Sequence, residues 1–200
     1  TKNSFHKKSY NFANSMNIKD LIDKNAALLE EIYPKPEAVY ILKIFVAKHF
    51  SCNKAKLIVK QNEKPSKVLI SYINSVRDSL MQNEPFQYVL GVENFYGYNF
   101  NVNSAVLIPR PETEELVALV LESFPAKAKC EGIDIGTGSG CIPIAIQKER
   151  PLYNMTAVDV SAEALVVAKS NNELNNTKVD FELLNILDEK AWVGDREYDF

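Results

Sequence analysis

Apolar side chains recur every three to four positions through the first third of the chain, the spacing that lines one face of a helix. Ile18, Ile22, Leu29 and Tyr33, supported by Leu21, Leu28 and Ile32, form one such stripe, which Pro34 and Pro36 interrupt. Ala38, Ile41, Leu42, Phe45 and His49 form a second, opening just after Pro36. A proline suits a first helical turn, where its missing N–H breaks no bond. Leu69, Ile73, Val76 and Leu80 form a third after Ser66, whose hydroxyl can cap a helix start. Residues 55–59 fit a short helix between them. Helices of this length are marginal alone and gain stability from packing on one another. Residues 1–84 are therefore expected to form a small helical bundle.

After Glu84-Pro85 the period shortens to two. Phe95, Gly97, Asn99 and Asn101 fall on one face, and Tyr96, Tyr98, Phe100 and Val102 on the other. This predicts a β-hairpin within a linker over residues 85–109. From Pro111 the helical period returns, with Leu116, Val117, Val120, Leu121 and Phe124 as the buried stripe. A strand over 133–135, a helix over 141–149, a strand over 155–158, a helix over 162–172 and a strand over 179–183 then alternate. That order predicts a doubly wound parallel α/β sheet over residues 110–200, with ligands beyond the carboxyl ends of its strands.

Composition places no obstacle in the way. Hydrophobic residues make up 46% and charged residues 24%, enough apolar material for a core. No apolar run is long enough to span a bilayer and no signal segment is evident, so the expected location is cytoplasmic, away from membranes. Cys52, Cys130 and Cys141 are scattered and odd in number, which suits reduced thiols and neither a disulfide framework nor a metal site. Cys141 has no partner base and reads as a packing residue; His6 and His49 have no ligand partners and read as structural. The net charge of -3 conceals an asymmetry: residues 1–85 hold 14 Lys and Arg against 8 Asp and Glu, the rest 9 against 18. Lys54, Lys56 and Lys60 can steer an acidic partner or simply form a solvated helix face. Nothing has the basic density of a nucleic-acid arm, so no direct nucleic-acid contact is expected.

The candidate chemistry sits at Asp134-Ile-Gly136-Thr137-Gly138-Ser139-Gly140, which closes an apolar strand and opens a helix. Glycine takes positive φ without penalty and lets a ligand lie directly on the backbone. The helix beginning near Gly140 offers free amide donors. A dinucleotide site would read Gly-x-Gly-x-x-Gly, and here the third glycine comes one residue early. The next strand ends in Asp159, where nucleoside-binding α/β folds place an acid that accepts hydrogen bonds from both ribose hydroxyls. An ordinary strand-to-helix turn with Asp159 as a strand-end cap is the plainer alternative.

The glycine turn followed by this acid resembles the first motif and ribose acid of class I methyltransferases. Phe86-Gln-Tyr-Val-Leu-Gly91, Phe95-Tyr-Gly97-Tyr-Asn-Phe100 and Val106-Leu-Ile-Pro109-Arg110-Pro111-Glu112-Thr113-Glu114 narrow the resemblance to the HemK/PrmC-type glutamine methyltransferases. It runs in order from about Pro85 to Phe200. It implies a class I methyltransferase-type sheet, incomplete here, preceded by a helical substrate-recognition domain. The implied cofactor is S-adenosyl-L-methionine, and the implied partners are peptide chain release factors, methylated on the amide of a Gly-Gly-Gln glutamine. Gly136, Gly138 and Gly140, with Thr137 and Ser139, would pass close to the methionyl part of the cofactor. Asp134 would meet its ammonium, Asp159 its ribose, and Asn185 and Ile186 its adenine. Most relatives have an acid where Asn185 stands. Arg110, Pro111, Glu112 and Thr113 would form a pocket wall, although Glu112, Glu114 and Glu115 equally suit a plain helix start.

In this family the strand that begins at Tyr198-Asp199-Phe200 runs on into Asn-Pro-Pro-Tyr, which holds the substrate amide. The chain stops before that motif, so its catalytic residues are unknown; it is read as cut short and as binding cofactor poorly in this form. A methyltransferase for a ribosomal-protein glutamine or a nucleic-acid base amine, and a non-catalytic cofactor-binding module, are the other readings.

Overall fold

The structure, a computed structural model, describes residues 16–126, 129–188 and 196–200, so His6 lies outside the described residues. The chain divides into two compact units, with the boundary between Leu90 and Gly91.

The first unit is helical: α1 (Ile18–Leu28), α2 (Lys35–His49), α3 (Lys54–Lys60), α4 (Lys67–Met81) and α5 (Phe86–Leu90). The stripes of α2 and α4 behave as their spacing predicts. Leu69, Ile73, Val76 and Leu80 are the buried residues of α4, and the Ser66 hydroxyl accepts the Leu69 N–H at 3.1 Å. The first stripe is shorter than its spacing suggests. Here α1 ends at Leu28, where Leu29 leaves helical geometry (φ -97°, ψ 1°) and its N–H donates to the Ala26 carbonyl, and residues 29–33 continue as turns. A capping box that the periodicity does not reveal starts α1: Asn17 accepts from the Asp20 N–H at 2.9 Å, and Asp20 accepts from the Asn17 N–H at 3.0 Å. His49 stacks on Tyr72 at 5.7 Å between ring centroids.

Where alternation was expected after Pro85, the chain makes α5. The Pro85 carbonyl accepts the N–H groups of Tyr88 and Val89, and Phe86, Val89 and Leu90 pack at helical spacing on the bundle core. Proline favours this kind of start.

In the second unit β1 (Val92–Phe95) and β2 (Tyr98–Asn101) form an antiparallel hairpin. Its turn is Tyr96-Gly97, with φ of 51° and 80°, the positive pair that a two-residue hairpin needs. The turn corrects the expected faces. Phe95 and Phe100, assigned to opposite sides by simple alternation, are both buried, with ring centroids 6.0 Å apart, because chain reversal resets the parity.

Next come α6 (Thr113–Ser123), β3 (Glu131–Ile135), α7 (Cys141–Glu149), β4 (Asn154–Asp159), α8 (Ala162–Asn175) and β5 (Asp180–Leu183). Of the α6 stripe Val117 is fully buried, but Leu116 faces solvent at 48% exposure. The strands are parallel in the order β3-β4-β5, with Asp134 opposite Ala157 and Asp159 opposite Leu183. This is a β-α-β-α-β alternation, with α7 and α8 as the crossovers between parallel strands. Residues 198–200 run along the other side of β3: the Asp199 N–H donates to the Glu131 carbonyl at 2.7 Å and the Ile133 N–H to the Phe200 carbonyl at 3.0 Å. Helix α8 runs three residues beyond its predicted end and stops at Asn176, a left-handed residue with φ of 53°.

Candidate functional site

Strand β3 releases the chain into Gly136-Thr137-Gly138-Ser139-Gly140, where the three glycines have φ of 78°, 53° and 76°. A side chain at any of them would strain the backbone. The turn is held from β4: the Val158 carbonyl accepts the Gly136 and Thr137 N–H groups at 2.8 and 3.0 Å, and Asp159 Oδ2 accepts the Gly138 N–H at 2.8 Å. The glycines then divide by surroundings. A Cβ on Gly140 would lie 3.1 Å from Ile144 Cδ1 and 3.2 Å from Ala168, so this glycine lets α7 sit close to α8. A Cβ on Gly136 or Gly138 would meet nothing within 4 Å, leaving bare backbone facing open space.

Two carboxylates flank that space. Asp134 comes from β3, and its Oδ2 is buried without a hydrogen-bond partner, as is the Thr137 hydroxyl. Burial pushes the Asp134 carboxyl above its ordinary range; the nearby Thr137 side chain opposes this in part, and the charge of Asp159 adds to it. Asp159, at the end of β4, is already engaged: Oδ2 takes the Gly138 N–H and Oδ1 the Ser161 N–H at 2.9 Å. It is thus a strand-end cap as the plainer reading had it, while each oxygen keeps a second acceptor position.

Asn185 and Ile186 follow β5 and are exposed. The Leu184 N–H donates to the Asp159 carbonyl at 2.9 Å, which sets Asn185 beside the end of β4, and Asn185 Oδ1 accepts the Leu187 N–H at 3.1 Å. Arg110, Pro111 and Glu112 are exposed and Thr113 half-buried. They form the turn into α6, with the Thr113 N–H on the Arg110 carbonyl and the Glu114 N–H on that of Pro111. In the same run, Glu114 Oε1 accepts the Tyr96 N–H at 2.8 Å and steadies the hairpin turn. A hydrogen bond to a charged acceptor is worth roughly 1.5–3 kcal/mol. Glu114→Ala is accordingly expected to lower unfolding free energy by about that amount in urea titrations, with Glu114→Gln recovering most of it.

Burial pushes the Cys141 thiol up to about 11, so it stays protonated at neutral pH. It is expected to resist alkylation in the native protein at pH 8, while the more accessible Cys52 reacts; comparable labelling rates would overturn this. Among the described residues no group of three His, Cys, Asp or Glu gathers as a metal site requires. No helix among them is long and apolar enough to cross a membrane.

Residues 113–200 match the family model described as a methyltransferase small domain. The chain is 48% identical over 104 residues to a release factor glutamine methyltransferase of Koribacter versatilis, covering 52% of this chain and 37% of that protein. It is 37% identical to the protein so named in Bacteroides thetaiotaomicron, covering 76% and 54%, and 33% identical to that of Flavobacterium psychrophilum, covering 86% and 61%. Over the aligned residues the chain is similar to release factor glutamine methyltransferases. It spans about half the length of the curated relatives it matches. Among solved structures, the Pyrococcus abyssi tRNA (uracil-54, C5)-methyltransferase aligns with a TM-score of 0.40 and 21% identity, over 47% of this chain and 23% of that one.

What sequence reasoning missed lies in α8. Asn171 and Asn175 are buried and bond to the hairpin, and Asn171 also bonds to the glycine turn. Two asparagines four apart inside a helix, where asparagine is a poor former, were the available signal.

Proposed function

We propose that this protein uses S-adenosyl-L-methionine to methylate the side-chain amide nitrogen of a glutamine in peptide chain release factors. In this reading residues 1–84 recognise the substrate, residues 85–109 link, and residues 110–200 belong to the cofactor-binding domain. The observation that carries it is the buried, partnerless Asp134 Oδ2 beside backbone left bare at Gly136 and Gly138. A cationic ligand suits that arrangement: the carboxylate meets an ammonium, and the Cβ-free turn admits close approach. The relatives' names supply the substrate class.

When bound, the cofactor supplies an electrophilic methyl group on a sulfonium. The chain's part is binding and orientation. Asp134 takes the ammonium, the glycine turn sets the depth of the ligand, Asp159 accepts from the ribose hydroxyls through its remaining lone pairs, and Asn185 and Ile186 border the adenine. An amide nitrogen is a weak nucleophile because its lone pair is delocalised into the carbonyl, so holding the reactants in line supplies much of the acceleration.

The test is transfer of labelled methyl by the full-length protein to a release factor with its Gly-Gly-Gln loop intact. Labelling lost on glutamine-to-alanine exchange in that loop supports the reading. Labelling of a ribosomal protein or a nucleic-acid base instead, with none on release factor, would redirect it.

A further inference from the structure

We propose that Asn171 is a positioning residue that locks the glycine turn and the β1–β2 hairpin into one unit, so that the cofactor surface and the hairpin move together. The proposal rests on the cofactor reading above only for its functional consequence. Its geometry stands alone.

Asn171 is 0% exposed and sits in the middle of α8, where a buried carboxamide is costly unless every polar atom is matched. It is matched completely. Oδ1 accepts the Asn101 N–H at 2.6 Å, while Nδ2 donates to the Asn101 carbonyl at 3.0 Å and to the Ser139 carbonyl at 2.9 Å. The first two bonds reproduce the pairing that a neighbouring strand would offer the end of β2, and the third reaches the turn. Ser139 lies between Gly138 and Gly140, whose N–H groups bond to Asp159 and to the Thr137 carbonyl. One side chain thus bridges the hairpin and the middle of the turn.

Asn175, one helical turn on, provides an internal control. Its Nδ2 donates to the Asn99 carbonyl at 3.0 Å and to the Asn171 carbonyl at 3.0 Å, so it secures the hairpin alone. An anchor that served only the hairpin would make the two residues equivalent. A lock on the turn makes them different.

The experiment measures amide exchange in the full-length protein without ligand, together with its affinity for S-adenosylhomocysteine by calorimetry. In Asn171→Ala the amides of Gly138 and Gly140 are expected to exchange about tenfold faster than in the parent, and affinity to fall by about tenfold. In Asn175→Ala only hairpin amides accelerate, and affinity stays within about twofold. Asn171→Asp has the same shape and keeps an acceptor for the Asn101 N–H but loses the amide donors, so it removes the Ser139 bond without leaving a cavity. A third measurement needs no variant: in the parent, turn and hairpin amides should open at one common free energy as denaturant is raised. Turn amides that exchange at the parental rate in either Asn171 variant, or that open apart from the hairpin in the parent, overturn the proposal. Failure of the parent to bind S-adenosylhomocysteine sinks the cofactor reading instead, and the exchange rates still decide the role of Asn171.

Discussion

Replacing Asp159 with alanine is expected to weaken S-adenosyl-L-methionine binding by about tenfold to a hundredfold, since each charge-assisted hydrogen bond contributes roughly 1.5–3 kcal/mol and about 1.4 kcal/mol is tenfold in affinity. Two effects combine in that loss. In the proposed site the ribose hydroxyls would lose their acceptor, and the Gly138 and Ser161 N–H groups lose theirs, which loosens the turn before any ligand arrives. Asp159→Asn weakens both in part. The amide keeps one acceptor oxygen, so one of the two backbone bonds survives while an NH2 faces the other donor. Its affinity should fall between those of the parent and the alanine variant. Calorimetry on the full-length protein settles the matter: parental affinity in Asp159→Ala would remove this carboxylate from the cofactor site.

Asp134→Asn should act in opposite directions on stability and on binding. Burial raises the native carboxyl above its usual 3.8, so the folded chain holds a proton at pH values where the unfolded chain has lost it. The stability this group contributes is therefore complete below the ordinary carboxyl range and is lost as pH rises toward the raised native value. Asparagine has no proton to lose. The unliganded variant should melt close to the parent in acid and above it at pH 7, the gap widening between. An ammonium beside Asp134 favours the ionised form, so cofactor affinity of the parent should climb with pH over the same interval. The variant should bind more weakly at neutral pH, with a flatter profile. A parent that outlasts Asp134→Asn in melting scans at pH 7 would contradict the assignment of a buried carboxylate whose Oδ2 has no partner.

The candidate site was legible because it rests on conformations that few residues can adopt. Gly136, Gly138 and Gly140 announce positive φ by their identity, and Asp159 is marked by its place after four apolar or β-favouring positions. The stripe of α4 was equally plain, since each of its four members is buried. What stayed hidden depends on partners distant in sequence. Nothing local to Asp159 shows that its Oδ2 will be taken by the Gly138 N–H, twenty-one residues away. Nor does the Arg110–Glu114 run show that Glu114 reaches the Tyr96 N–H rather than a ligand. The hairpin faces were misjudged because period-two reasoning assumes an unbroken strand, and Tyr96-Gly97 folds it back. The exposure of Leu116 has a similar origin: the apolar stripe identifies residues able to face a core, and the neighbours of α6 decide which of them do.

The hairpin's tether also has a bearing on biosynthesis. Asn101 emerges seventy residues ahead of Asn171, the side chain that completes its outer edge. At ribosomal speeds of about 5–20 residues per second, β1 and β2 wait on the order of 4–14 s before that helix is made. Through that interval two strands with a phenylalanine-rich face have an unsatisfied rim, so the nascent chain is most vulnerable to misassociation, and most in need of a chaperone, before α8 clears the exit tunnel.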